Sequence, residues 1–200
     1  MRILMFFLIF LTGVSFAPLA PAADEASAKV DTLHTALLEA MKGGAQLGFA
    51  GRRDQLVPVL QSTFDFDTIS RLVTGRHWGE MDEAERKAFV EVFSALSAAT
   101  YAENFDSFGG QRFETRGTRS KGKAEIVRTV IISSDGDETS LDYLLTQERG
   151  EWRIVNVVAD GVSDISLKRS EYATVIGQEG IAGLIAKLKA KVASYGDKNS

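Results

Sequence analysis

The sequence predicts an α+β fold, in which a twisted antiparallel sheet of about four strands has N-terminal and C-terminal helices packed on one face. Three observations predict it. Apolar residues recur every three or four positions over residues 26–108, as on one face of a helix. They alternate with polar residues over 112–159, where turn residues separate the alternating segments. Helical spacing then returns, and because strands and helices do not alternate along the chain, a parallel sheet is not expected.

Helical periodicity predicts four helices before the sheet. The fourth begins after Asp82, because Asp82 and Glu85 have the spacing of a capping box. It is expected to end at Gly109-Gly110. Asp67 is expected to cap the third helix at Thr68. The first three helices are predicted over 26–47, 52–64 and 67–73.

Short runs rich in β-branched residues predict the strands of a meander. The turns between them are marked by Asp135-Gly136 and Arg149-Gly150, and Asp160-Gly161 ends the last long strand. Two further helices follow the sheet, over 166–177 and 181–193. The strands are predicted over 112–116, 124–133, 139–147 and 152–159.

The N-terminus is typical of a secretory signal. Arg2 precedes an apolar run, and Ala20-Pro21-Ala22 fits a small-x-small cleavage site. The run is shorter than the roughly 20 residues that cross a bilayer, so we expect cleavage, although retention as an anchor remains an alternative. The expected organisation is a signal peptide over 1–22 and a single domain over 23–200, located in the periplasm of a host with two membranes.

Composition excludes some classes of function. The net charge of -4 and the scattered basic residues are unlike those of a nucleic-acid-binding protein. There is no cysteine, so neither a disulfide nor thiol chemistry is available and packing must hold the exported domain together.

Few residues suggest catalysis or metal binding. His34 and His77 lack nearby partners, so no metal site is predicted, and no cofactor is expected. Asp65 and Asp67 could act as an acid-base pair, but helix capping is the simpler role. No catalytic residue is assigned. A small exported enzyme that uses Asp65, Asp67, Tyr101 or His77 is kept as an alternative.

Aromatic residues fall on the predicted apolar faces and their edges. Either an ordinary core or a cavity would require this pattern, and the spacing does not separate the two. Arg71, Arg76 and Arg169 are candidates to meet an anionic head group, although each alone is more often a solvated arginine. The aromatic set is Phe64, Phe66, Trp78, Phe89, Phe93, Tyr101, Phe105, Phe108, Tyr143, Trp152 and Tyr172.

An ordered series of short motifs resembles the MlaC-type periplasmic lipid carriers, also called toluene-tolerance auxiliary proteins, and within them the hopanoid-associated HpnM branch. Asn156 departs from the aspartate expected at that place in the family, so no role there rests on a carboxylate. The matching stretches are Phe64-Asp65-Phe66-Asp67, Arg71, Gly75, Trp78, Ala99-Thr100-Tyr101-Ala102, Asn104-Phe105, Gly110-Gln111-Arg112-Phe113, Leu141-Asp142-Tyr143, Trp152-Arg153-Ile154-Val155, Asp160-Gly161-Val162-Ser163 and Arg169-Ser170-Glu171-Tyr172.

This resemblance implies an apolar cavity between the sheet and its helices. Acyl chains or a hopanoid skeleton would enter it, and the polar head would stay near the mouth. It also implies partners: an inner-membrane transport complex of the ABC or RND type, and an outer-membrane acceptor. The residues expected to contact lipid are Phe66, Ile69, Leu72, Val73, Trp78, Phe93, Leu96, Tyr101, Phe105, Val130, Ile132, Tyr143, Leu145, Val155, Val157, Ile165, Tyr172 and Ile176.

The function predicted from the sequence is therefore a soluble periplasmic carrier that moves phospholipid or hopanoid between the inner and outer membranes. Two alternatives remain: the small exported enzyme, and an adaptor that docks membrane transport proteins without binding lipid.

Overall fold

The computed structural model describes residues 22–198 and confirms the α+β prediction. Most of the predicted signal peptide, residues 1–21, lies outside the described residues. The helices are α1 (Ala22–Thr63), α2 (Phe66–Thr74), a 3-10 helix (Gly75–Gly79), α3 (Glu83–Asn104) and α4 (Asp164–Lys198). The strands are β1 (Arg112–Lys121), β2 (Ala124–Ile132), β3 (Glu138–Glu148), β4 (Glu151–Ala159) and β5 (Val162–Ser163).

The two helices predicted over 26–47 and 52–64 correspond to two helical segments of α1, which meet at a kink. Gly44 (φ 38°, ψ −123°) and Gly48 (φ 60°, ψ −178°) interrupt the helical backbone there, since glycine adopts such angles at little cost. The buried Arg52 holds this kink against α3. Its Nη1 donates to the Gly44 carbonyl at 2.9 Å, and its Nε donates to the Ala102 carbonyl at 3.0 Å.

The junction between α1 and α2 is fixed to the sheet. As a result, α2 begins earlier in the sequence than predicted. Phe64 pairs with Ile154 of β4, and the Asp65 backbone N–H donates to the Ile154 carbonyl at 3.0 Å. Asp65 is the N-cap of α2, because its carboxylate accepts from the Thr68 backbone N–H at 2.8 Å. The prediction that Asp67 caps this helix is therefore wrong. Asp67 lies in the first turn of α2.

The start of α3 is confirmed and its end is not. The Asp82 carboxylate accepts from the Glu85 backbone N–H at 2.8 Å, and the Glu85 carboxylate accepts from the Asp82 backbone N–H at 3.0 Å. This is the predicted capping box. The helix stops at Asn104, before the predicted Gly109-Gly110, because Phe105 has left the helical conformation (φ −110°, ψ 56°).

The five strands form an antiparallel meander in the order β1-β2-β3-β4-β5. The short β5, which is not predicted, adds to the β4 edge. Val127, Tyr143 and Val157 are partners across β2, β3 and β4, and the buried side chains of Val127 and Tyr143 show that this face packs against the helices. Leu145 and Ile154 lie on the same face and are fully buried, so part of the contact between sheet and helices is solid core.

Val130 and Ile132 lie on the opposite face of β2, which corrects their predicted place in the cavity wall. Their register neighbours on β1 are Glu114 and Arg112, and those on β3 are polar. The charged side chains form ion pairs on this outer face, including Arg112 with Glu114 at 3.0 Å. We infer that these long side chains cover the two apolar residues, since their stems are apolar.

The C-terminal helices predicted over 166–177 and 181–193 correspond to two helical segments of α4, which meet at a kink where Gly180 is non-helical (φ 70°, ψ −178°). This helix packs against α2, α3 and β4. Within residues 22–198, no helix combines the length and apolar character needed to cross a bilayer.

Candidate functional site

A cavity of about 440 Å³ lies between the helix-facing side of the sheet and α2, α3 and α4. We call it the chamber. Its wall is mainly apolar and contains side chains from every one of these elements. The lining residues are Phe64, Phe66, Ile69, Phe93, Leu96, Ser97, Thr100, Tyr101, Asn104, Phe105, Leu141, Tyr143, Val155, Asn156, Val157, Ala159, Val162, Asp164, Ile165, Leu167, Lys168, Glu171, Tyr172, Lys191 and Tyr195.

The structure brings most of the residues predicted to contact lipid into this wall. They come from α2, α3, the sheet and α4, which are far apart in sequence. Their contact with lipid stays a prediction. The predicted residues in the wall are Phe66, Ile69, Phe93, Leu96, Tyr101, Phe105, Tyr143, Val155, Val157, Ile165 and Tyr172.

Five other predicted residues lie outside the chamber wall, in addition to Val130 and Ile132. Val73, Leu145 and Ile176 are buried in the core, where they pack against other side chains. Leu72 is 37% exposed on the outer side of α2. Trp78 packs against the edge of the core with the Arg86 guanidinium 5.6 Å from its ring. Helical periodicity correctly indicated burial for most of these residues, but not which space they adjoin.

Aromatic rings surround the chamber in a nearly continuous series. Successive ring centroids lie 3.9 to 6.4 Å apart, in stacked, tilted or edge-to-face arrangements that aromatic pairs favour. Because each ring is held by the next, the wall has a defined shape. The series is Tyr172, Phe93, Phe66, Phe64, Tyr101, Phe105, Phe113, His34 and Tyr143.

Three tyrosine hydroxyl groups in the wall, those of Tyr101, Tyr143 and Tyr172, are neutral at physiological pH. Burial raises the pKa of Tyr101 well above its usual range, and the nearby Asp164 carboxylate raises it further. Burial likewise raises the pKa of Tyr143 and of Tyr172. The interior therefore presents apolar rings and uncharged hydroxyls, which favours hydrocarbon over an ion.

His34 supports the wall from behind. Its ring stacks on Phe113 with centroids 3.9 Å apart, and its Nε2 is 3.1 Å from the Tyr143 hydroxyl oxygen. Burial lowers the pKa of His34 to about 4. This histidine is thus a neutral member of the core.

We expect acid to destabilise the fold through His34. In the unfolded chain its pKa is near 6.5, so protonation favours unfolding as the pH falls from 6.5 to 4. At ~1.4 kcal/mol per pKa unit, the free energy of unfolding should fall by about 3 kcal/mol over that window. Urea unfolding at several pH values, compared with His34→Gln, measures this contribution. An equal pH dependence in the variant would contradict it.

The mouth of the chamber combines charged and exposed apolar side chains. Lys168 Nζ lies 2.5 Å from Asp164 Oδ1, and Glu171 and Lys191 also line this space. Leu167 is 60% exposed. Val162 is a further exposed apolar side chain of the lining. Charges of both signs therefore lie beside the apolar interior.

Asn156 joins the sheet to the start of α4. Its Oδ1 accepts from the Ser163 hydroxyl at 3.1 Å and from the Ile165 backbone N–H at 3.4 Å. A neutral amide is sufficient for this bond, so the aspartate expected by resemblance is not needed to begin the helix.

The three arginines predicted to meet a head group do not line the chamber. Arg71 donates to the Thr68 hydroxyl at 3.0 Å. The Arg169 guanidinium lies over Gly75, with nitrogens 3.1 Å from where a Cβ would be at that glycine. Arg76 is exposed on the 3-10 helix. A head-group role for these residues stays a prediction that the cavity geometry does not favour.

The residues considered for catalysis make contacts that stabilise the fold. Burial opposes ionisation of Asp65, but hydrogen bonds from Thr68, a hydrogen bond with Glu148 and the Arg71 charge together outweigh it and lower the pKa of this carboxyl group. A general acid or base works best with a pKa near the working pH, and neither Asp65 nor Tyr101 is shifted that way. His77 Nδ1 is 2.8 Å from Glu80 Oε2 at the surface. Among residues 22–198, no group of acidic or histidine side chains is placed to hold a metal ion.

Sequence reasoning missed several lining residues, mostly polar or charged ones at the mouth. A helical face with mixed polarity, such as the start of α4, gives no signal that its lysines adjoin a cavity. The missed residues are Phe64, Ser97, Thr100, Asn104, Leu141, Asn156, Ala159, Val162, Asp164, Leu167, Lys168, Glu171, Lys191 and Tyr195.

Comparison with known proteins identifies the family of this chain. The family model described as "MlaC protein" matches residues 31–190, which include all the chamber-forming elements except the last part of α4. The chain belongs to the MlaC family. The resemblance inferred from the motifs is therefore confirmed at the level of the family, whereas assignment to the hopanoid-associated branch stays a prediction.

Two similar proteins are informative. The intermembrane phospholipid transport system binding protein MlaC of Haemophilus influenzae is 23% identical over 122 residues, which are 58% of this chain and 57% of that protein. The matched region thus spans little more than half of the curated relative. A phospholipid-binding protein from Ralstonia solanacearum, solved in complex with a phospholipid, superimposes with a TM-score of 0.74 at 21% identity. The match covers 86% of this chain and 99% of that one, and it confirms the fold.

Proposed function

We propose that this protein is a periplasmic phospholipid carrier, which encloses acyl chain in the chamber while the lipid passes between membranes. The observation that carries the proposal is the chamber itself, a mainly apolar space of about 440 Å³ with charged groups at its mouth. Ligand pockets typically have volumes of ~300 to ~1,000 Å³. The names of the two relatives, a phospholipid transport binding protein and a phospholipid-binding protein, support the same ligand class.

The physical need for such a chamber follows from the solubility of lipid. Exposing a methylene group to water costs about 0.8 kcal/mol, so a chain of about 16 carbons meets a barrier above roughly 10 kcal/mol. Unassisted passage through an aqueous compartment would be negligible. In the chamber the acyl chain would contact the rings of Phe93 and Tyr172 and the side chain of Val157 instead of water.

An empty chamber would also be unfavourable. At ~24 cal/mol per Å³, a dry void of this size costs on the order of 10 kcal/mol, which rivals a typical total stability of ~5 to ~15 kcal/mol. We therefore expect the protein to purify with lipid bound, or its helices to close on the sheet when lipid is removed.

We propose that the head group lies at the mouth beside Lys168 and Lys191 rather than beside the three arginines. Lys168 and Lys191 are the cations among the chamber-lining residues. Asp164 pairs with Lys168 and Glu171 also lines the chamber, so a head group with charges of both signs would find partners for each. Exchange with an inner-membrane complex of the ABC or RND type, and with an outer-membrane acceptor, would take place through this mouth.

The proposal is tested by identifying lipid that leaves the protein on denaturation. Protein prepared from its native host would be denatured, extracted and analysed by mass spectrometry, with the wash buffer and an unrelated exported protein as controls. We expect phospholipid at a fixed molar ratio. Hopanoid in its place would support the carrier role and change the cargo. Protein without lipid that also fails to bind added phospholipid would contradict the proposal and favour the adaptor.

A further inference from the structure

The kinks in α1 and α4 occur at the same short motif, Gly-x-Ala-Gly. It lies at 48–51 in α1 and at 180–183 in α4. Gly48 and Gly180 have nearly the same backbone angles, with φ of 60° and 70° and ψ of −178° in both. This region is essentially restricted to glycine. A Cβ at either position would meet no atom within 4 Å, so backbone preference and not lack of space requires glycine there.

The second glycine of each motif lets the chain turn tightly at the kink. A Cβ at Gly183 would lie 2.5 Å from the Glu179 Cβ, and a Cβ at Gly51 would lie 3.1 Å from the Leu47 Cβ. The kink in α4 is also spanned by an ion pair between Glu179 and Lys187. Both side chains of this pair are exposed, and exposed pairs contribute little stability, so the pair does not lock the kink.

The part of α4 beyond Gly180, residues 181–198, covers one side of the chamber. We call it the flap. Lys191 and Tyr195 on the flap line the chamber. An α-helix rises about 1.5 Å per residue, so Tyr195 lies roughly 22 Å along the helix from Gly180. A change of backbone angles at Gly180 therefore moves the far end of the flap by many ångströms. The buried apolar side chains of the flap are Leu184, Ile185 and Leu188.

A pair of aromatic rings joins the flap to the kink in α1. The Tyr195 ring stacks on the Phe49 ring, with centroids 6.0 Å apart and planes 8° from parallel. Phe49 directly follows Gly48, so the two kinks are connected through this stack. The Tyr195 hydroxyl oxygen is also 3.4 Å from the Thr100 hydroxyl oxygen of α3. These contacts hold the flap over the chamber at a point far from Gly180.

We propose that the flap is the gate of the chamber: it turns about Gly180 to admit and release lipid, and it closes when Tyr195 stacks on Phe49. This inference rests on the proposed function. Glycine populates positive and negative φ angles about equally readily, so the backbone of Gly180 imposes little preference between a kinked and a straight α4. Lipid in the chamber contacts Tyr195 when the flap is closed, so bound lipid favours the closed state.

Gly180→Ala tests the gate, with Gly177→Ala as the matched control. L-Alanine disfavours a φ of 70°, so the first variant should straighten α4 and open the flap. Gly177 lies in regular helix, and a Cβ there would also meet no atom within 4 Å. Each protein would be loaded with a phospholipid that carries pyrene on an acyl chain, and transfer to phosphatidylcholine vesicles would be timed. We expect about tenfold faster release from Gly180→Ala and less than a twofold change from Gly177→Ala.

Replacement of Gly180 by D-alanine adds the same methyl group with the opposite backbone preference. The mirror image of φ 70°, ψ −178° lies in the broad β region, so D-alanine favours the kink. A synthetic peptide of residues 173–200 would be ligated through cysteine in place of Ala173, which desulfurisation then converts to alanine. The chain has no other cysteine to be affected. We expect release no faster than from the wild type.

The position of the flap would be measured directly with spin labels. Lys87→Cys on α3 and Lys189→Cys on the flap are at exposed positions and would carry the labels. We expect dipalmitoyl phosphatidylcholine to narrow the distance distribution of the wild type, and Gly180→Ala to shift it. If Gly180→Ala fails to fold, Phe49→Leu removes the ring stack at a residue outside the chamber wall and should also speed release.

Equal release rates from folded Gly180→Ala and Gly177→Ala would overturn the inference, as would equal rates with L-alanine and D-alanine at position 180. An unchanged label distance in Gly180→Ala would do the same. Each of these results would leave the proposed function intact, because the wild type still carries lipid. Failure of the wild type to take up the pyrene phospholipid would instead overturn the proposed function itself.

Discussion

Replacing Val157 with tryptophan should reduce phospholipid affinity at least tenfold while the protein stays folded. Val157 projects from β4 into the chamber, opposite Tyr143 in the register, and is half-buried. An indole group there would occupy space that the acyl chain needs. The loss of several methylene contacts at about 0.8 kcal/mol each is sufficient for a tenfold effect, which corresponds to about 1.4 kcal/mol.

Val158→Trp is the matched control. Val158 is the next residue of the same strand and points to the opposite face, where its partner in the register is Asp142. Affinity for a dipalmitoyl phospholipid would be measured by titration, and the melting temperature by circular dichroism. We expect Val158→Trp to bind normally. Equal affinities of the two variants would mean that the chamber is not where the chain binds.

Phe89→Ala should lower the free energy of unfolding by about 3 to 5 kcal/mol, the usual cost of deleting a fully buried aromatic side chain. The Phe89 ring is 0% exposed. It stacks on Phe93 at 5.9 Å and meets Tyr172 edge-to-face at 6.1 Å, and those two rings line the chamber whereas Phe89 does not. The substitution therefore removes the support behind the chamber wall.

Urea unfolding of the delipidated protein measures this effect, and Phe108→Ala is its control. Phe108 is exposed, and its ring interacts with the Lys42 ammonium group at 5.3 Å, a contact worth ~1 kcal/mol at most. We expect a loss below ~1 kcal/mol for Phe108→Ala. If Phe89→Ala were no more destabilising than Phe108→Ala, the region behind the wall would not be packed as described.

The features that the sequence predicted correctly are those with a local physical cause. The β2–β3 turn follows from Asp135-Gly136, since glycine readily adopts the positive φ of 94° that it has there. The start of α3 follows from the side chains of Asp82 and Glu85 alone. The four long strands follow from alternation and β-branched residues, although β1 extends to Lys121, five residues beyond its predicted end.

The features that the sequence did not predict depend on tertiary contacts. Asp65 caps α2 because Phe64 is held against Ile154 of β4, a residue 90 positions later in the chain. The two segments of α1 are held at their kink by Arg52, which donates to the Gly44 carbonyl and to the Ala102 carbonyl of α3. Such contacts leave no periodic signal in either segment.

The chamber itself marks the limit of pattern reasoning. Leu145 and Tyr143 both lie on the helix-facing side of β3 and both are buried, yet one packs in solid core and the other lines the chamber. Val130 is buried on the face turned away from the helices. Apolar alternation marks burial, but it does not distinguish a filled space from an empty one. Family resemblance, and not periodicity, predicted the cavity.

The most direct test of the account is a crystal structure of the protein loaded with a phospholipid that carries bromine on an acyl chain, with bromine located by its anomalous scattering. The account predicts a bromine site inside the chamber, among Phe93, Val157 and Tyr172. Bromine found solely on the outer surface, with the chamber collapsed or filled by water, would contradict it.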